Sequence, residues 1–70
     1  MNRERDFDTS GELIGNLCAE LLASGVTHET LADALMVKAM AFWGVSIGDE
    51  NKPRQFLTVW ANERDAINGN

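Results

Sequence analysis

The segment from Thr27 to Trp43 most constrains this chain, because it reads as one helix that is apolar on nearly every side. Thr27 is a good N-cap, Glu29 sits in the first turn where the helix dipole favours an anion, and Gly44 follows as a stop. At about 100° per residue, one arc takes Leu31, Ala32, Leu35, Met36, Ala39, Phe42 and Trp43, the predicted inward face. The opposite arc holds Ala34, Val37, Met40 and Ala41, relieved only by Thr30, Asp33 and Lys38. A helix apolar all round is normally covered all round. A chain of 70 residues has little material with which to do that.

The material on either side completes an all-α, three-helix expectation. Thr9-Ser10-Gly11-Glu12 fits a capping box. Leu13, Ile14, Leu17, Cys18, Leu21 and Leu22 then repeat at helical spacing, which predicts helix 1 over 9–24. Gly25 ends it in a left-handed conformation, and Val26 and Leu31 form a hydrophobic staple across a short turn. Residues 45–52 read as a connection. Helix 3 is predicted over 49–67, with Pro53 in its first turn and Phe56, Leu57, Trp60 and Ile67 inward. The run 56–60 has high β-propensity and Val45-Ser46-Ile47 offers a partner strand, but Ala61 to Ala66 continue the helical pattern. Asn68-Gly69-Asn70 closes helix 3. The expected architecture is an antiparallel hairpin of helices 1 and 2 with helix 3 packed across it. Residues 1–8, alternating in charge, read as a mobile arm before a single domain over 9–70.

Composition bears on what such a fold can use for stability and function. With Cys18 as the one cysteine no disulfide framework exists, and Cys18 with His28 is too small a ligand set for zinc. Association is the remaining route to extra stability. The net charge of −5 is spread evenly, with no basic block to attract nucleic acid. No uninterrupted apolar run reaches the ~20 residues of a membrane span, and no signal-peptide pattern opens the chain. The expectation is a cytoplasmic protein with no cofactor, no nucleic-acid partner and no membrane.

Individual residues yield no chemistry. His28 is expected as a capping-turn histidine facing the core and Cys18 as a small packed hydrophobe, with no cation near it in sequence to activate the thiol. Trp43 and Trp60 are expected between helices 2 and 3. Lys52 and Arg54 read as solvated bases at a helix start, and Arg3 and Arg5 are offset by Glu4 and Asp6. On helix 1, however, Gly15, Ala19 and Ala23 recur every four residues away from the leucine stripe, and a mid-helix glycine costs about 1 kcal/mol relative to alanine.

The reading is therefore a non-enzymatic interaction or oligomerisation module, a homodimer or the partner of another protein. Its interface residues are Gly15, Ala19, Ala23, Ala34, Val37, Met40 and Ala41. Two rivals stand beside it: a helix-turn-helix regulator of transcription built from helices 2 and 3, and a binder of a small ligand near Trp43 and Trp60 at a dimer cleft.

Overall fold

A computed structural model describes residues 2–69. Met1 and Asn70, the outer ends of the expected arm and of the C-terminal stop, lie outside the described residues. The chain forms three helices, α1 (Arg3–Ala23), α2 (His28–Ile47) and α3 (Asn51–Asn68), with no strand among the described residues. The 45–47 and 56–60 segments are helical. The chain divides into two compact units, Met1–Ala32 and Asp33–Asn70, described separately below.

In the first unit α1 begins at Arg3, six residues before the predicted start. Asn2 acts as the cap: its Oδ1 accepts from the Arg5 N–H at 3.1 Å and its carbonyl from the Asp6 N–H at 3.0 Å. Asparagine is among the best N-caps, and Glu4 and Asp6 then fall where the helix dipole favours them. The charge alternation that suggested an arm is thus a helical first turn, and Thr9 to Glu12 lie inside the helix. At the other end Gly25 has φ +105°. The Val26 N–H reaches the Leu21 carbonyl and the Gly25 N–H the Leu22 carbonyl, both at 3.1 Å. This double closure is a Schellman motif. Thr27 caps α2 as expected, its Oγ1 accepting from the Thr30 N–H at 3.1 Å. Leu31 is buried and Val26 half-buried.

In the second unit α2 and α3 pack against each other, and three contacts set their arrangement. A side chain at Gly44 would meet Pro53 Cγ at 3.4 Å; the Trp43 and Phe56 rings lie 5.3 Å apart, edge to face; Asp33 bonds to Arg64. As α2 is followed forward, its α3 partner moves backward, so the two helices run antiparallel, side by side.

Gly44 is not the stop that the sequence suggested. It is helical and buried, and its missing side chain lets α3 come close. The helix ends four residues later at Gly48, φ +68°, in a second Schellman motif: the Asp49 N–H bonds the Gly44 carbonyl at 3.1 Å and the Gly48 N–H the Val45 carbonyl at 3.3 Å. The Asp49 carboxylate then accepts from the Asn51 N–H at 2.8 Å. Pro53 occupies the first turn of α3, where no intrahelical N–H is needed. Because Gly48 holds a left-handed conformation that disfavours a Cβ, Gly48→Ala should lower stability by about 1–2 kcal/mol. Gly48→Asn should cost less, and thermal unfolding followed by circular dichroism checks both.

The inward side of α2 also differs from expectation. Asp33, Trp43 and Gly44 contact α3, and half-buried Met36 and Met40 share their side. This stripe lies about 100° around the helix from the predicted one. Phe42, expected inside, is 73% exposed, and Leu35, Ala32 and Ala39 are exposed too. A helix without a polar face gives no phase to read. The close approach at Gly44 and Pro53 sets the phase instead.

Candidate interaction surface

Among the described residues Leu31 is the one buried large hydrophobic side chain, and twelve others are exposed. In the first unit these are Phe7, Leu13, Ile14 and Leu17, all on α1. The second unit contributes Leu35, Val37, Phe42, Val45 and Ile47 of α2 and Phe56, Val59 and Ile67 of α3. Scattered exposed hydrophobics are ordinary on a monomer. Here they are the rule along every helix.

The seven residues singled out in the sequence fall into two groups. Val37, Met40 and Ala41 come together in the second unit. With Pro53 and Leu57 of α3 they line an open depression of about 610 Å³ whose polar end carries Asp49, Glu50 and Arg54. Val37 is 52% exposed, Ala41 exposed and Met40 half-buried. Ala34, one turn earlier, is exposed outside this depression. Gly15, Ala19 and Ala23 belong to α1 in the first unit and are exposed. Within the first unit a Cβ built at Gly15 meets nothing within 4 Å.

The residues weighed for chemistry take separate places. His28 is exposed rather than turned to a core, because it occupies the first helical position beside the capping Thr27. Cys18 is a half-buried free thiol. Each tryptophan has its own neighbour: Trp43 meets Phe56, and Trp60 lies beneath the Arg64 guanidinium, whose central carbon is 5.1 Å from the ring centroid. An open hollow of about 310 Å³ adjoins Trp60 and is lined also by Glu63, Arg64, Ile67 and Asn68. Trp43 takes no part in it.

The Asp33–Arg64–Trp60 cluster was missed in the sequence. Arg64 bonds Asp33 across the two helices and Asp65 beside it at 3.0 Å. Hydrogen bonds donated to Asp65 and then to Asp33 hold the guanidinium pKa above its usual value. The i, i+4 spacing of Trp60 and Arg64 was the available signal. Nothing in the sequence joined Asp33 to Arg64, because the facing side of α2 was mis-phased.

As a continuous 20-residue helix, α2 is long and apolar enough to cross a membrane by length and composition alone, although Asp33 and Lys38 interrupt it. Comparison with protein families, with curated proteins and with solved structures finds no match.

Proposed function

We propose that this chain is a small non-enzymatic interaction or oligomerisation module that works by burying the apolar outer faces of α1 and α2 against a second copy of itself or another protein. Among the described residues, the exposure of twelve large apolar side chains, against one buried, supports this reading most directly. In the assembled form α1 folds back along α2 as an antiparallel hairpin with α3 alongside α2, and two copies bring α1 and α2 into a shared core. The short Ser24–Thr27 connection, closed at Gly25, is suited to such a reversal.

Four observations weigh against other readings. Side-by-side α2 and α3 do not have the steep crossing of a helix-turn-helix, and Arg64 is engaged by Asp33 and Asp65. Lys38 lies near the middle of α2 and Asp33 is ion-paired. A lysine at mid-helix costs roughly 2.5–3.5 kcal/mol in the centre of a bilayer, which favours a protein surface over lipid for α2. The hollow at Trp60 is too open for a ligand reading without a second chain to close it.

Light scattering across a range of micromolar concentrations tests the proposal. A mass near twice 7.7 kDa is expected. Val37→Ala should weaken association by about 1–3 kcal/mol, the usual range for an interface anchor. Val37→Asp should weaken it further, because a carboxylate replaces an apolar contact. A mass unchanged in Val37→Asp would remove the α2 surface from the interface.

A further inference from the structure

The end of α3 sets an asparagine directly before a glycine. Asn68 is the last helical residue and is exposed, and Gly69 is its C-cap. The Gly69 N–H donates to the Asp65 carbonyl at 2.6 Å and so closes the last turn. A Cβ at position 69 would meet that carbonyl oxygen at 2.5 Å, so this closure needs a residue without a side chain. The helix end thus places beside Asn68 the one residue type whose backbone nitrogen is not shielded by a Cβ.

We propose that Asn68 is a site of spontaneous modification, where its side-chain amide is lost through a cyclic imide. The Gly69 backbone nitrogen attacks the Asn68 side-chain carbonyl carbon. A new C–N bond forms, and the proton of the Gly69 N–H is lost to solvent. The bond to the side-chain nitrogen breaks, and that nitrogen takes a proton from solvent and leaves as ammonia. A five-membered succinimide remains. Water then opens the ring at one of its two carbonyls. Opening at the side-chain carbonyl gives aspartate, and opening at the main-chain carbonyl gives isoaspartate. No oxidant or reductant is needed.

The helical backbone restrains this step. With Asn68 in the α conformation and the Gly69 N–H held by Asp65, nitrogen and carbonyl carbon are not aligned for ring closure. Helix ends fray, and such local openings cost far less than global unfolding. Each opening frees the nitrogen and lets the dipeptide take the conformations that close the ring. The other helical asparagines lack this combination. Asn16 and Asn62 lie within α1 and α3 and precede Leu17 and Glu63, while Asn51 opens α3 but precedes Lys52.

The product carries a negative charge at the C-terminal end of α3, where the helix dipole disfavours an anion. It also adds a carboxylate to the hollow that Asn68 lines with Trp60 and Glu63. Isoaspartate lengthens the main chain by one carbon and breaks the spacing of the Gly69–Asp65 closure. All of this rests on the local geometry of α3 and is independent of the association reading.

The test incubates the full chain in warm, mildly alkaline buffer, with and without urea. Peptide mapping by mass spectrometry follows each asparagine, and electron-transfer fragmentation separates aspartate from isoaspartate. Conversion of Asn68 at least tenfold faster than Asn16, Asn51 and Asn62, with isoaspartate among the products, bears the inference out. Urea should accelerate it several-fold by releasing the Gly69 N–H, and an equal rate in urea would overturn the restraint assigned to the Asp65 bond. Gly69→Ala, compared in urea so that its effect on the helix end does not enter, should slow conversion several-fold. An Asn68 that stays intact while other asparagines convert overturns the proposal. Aspartate as the sole product overturns the cyclic route.

Discussion

Gly44→Leu should destabilise the α2–α3 pair by about 2–3 kcal/mol, whereas Gly44→Ala should be neutral or stabilising. A Cβ at this position meets Pro53 Cγ at 3.4 Å, the Asp49 carbonyl at 3.5 Å and Glu50 Cα at 3.6 Å. Those are ordinary contact distances, so alanine fits and brings up to about 1 kcal/mol of helix propensity. Leucine adds three carbons where two of those neighbours are backbone, and overpacking of this kind costs about 1–3 kcal/mol. For a domain of this size each kcal/mol moves the Tm by roughly 4–8 °C. Opposite shifts for the two variants in thermal unfolding are the signature of a close-approach glycine. A large loss already in alanine would mean that the glycine is needed for its backbone freedom instead.

Trp43→Ala should have an effect of similar size, about 2–3 kcal/mol. Fully buried tryptophans lose about 3–5 kcal/mol on truncation. Trp43 is half-buried, and its edge-to-face contact with Phe56, at an interplanar angle of 66°, adds a specific pair term. Phe56→Ala should cost less, because Phe56 is 58% exposed. The double variant should lose less than the two singles together by about 0.5–1.5 kcal/mol. Additive losses in urea unfolding would show that the rings contribute by separate burial and not through each other.

These two residues also mark where the sequence was readable and where it was not. Local chemistry was legible: Thr27 as a cap, Gly25 as a left-handed stop, Pro53 in a first turn and a helical 56–66 all follow from short-range rules. The start of α1 was misread because alternating charge looks the same in a solvated arm and in an exposed first turn. Only the Asn2 cap decides between them. Gly44 was misread because a glycine after an apolar run has two uses, and the true terminator, Gly48, lay one turn further on. The facing side of α2 was not legible at all. With apolar residues around its circumference the helix can present any side to α3, and the choice falls to Gly44, a residue without a side chain. Of the candidate surface, Val37 and Ala41 are exposed where expected, while Met40 turns partly toward α3.

The antiparallel register of α2 and α3 bears on how this unit forms. Its contacts are ordered by loop length: Gly44 and Pro53 are nine residues apart, Trp43 and Phe56 thirteen, Asp33 and Arg64 thirty-one. The entropy of closing a chain segment grows with its length. The tip therefore closes first, and each later contact is made across a gap already shortened by the one before. The hairpin zips from Gly48 outward, with the low contact order of fast-folding helical pairs. In the folded state the same ladder runs in reverse. Hydrogen exchange followed by mass spectrometry should therefore find the α2 amides next to Gly44 better protected than those next to Asp33, with one ion pair latching the end that opens most often.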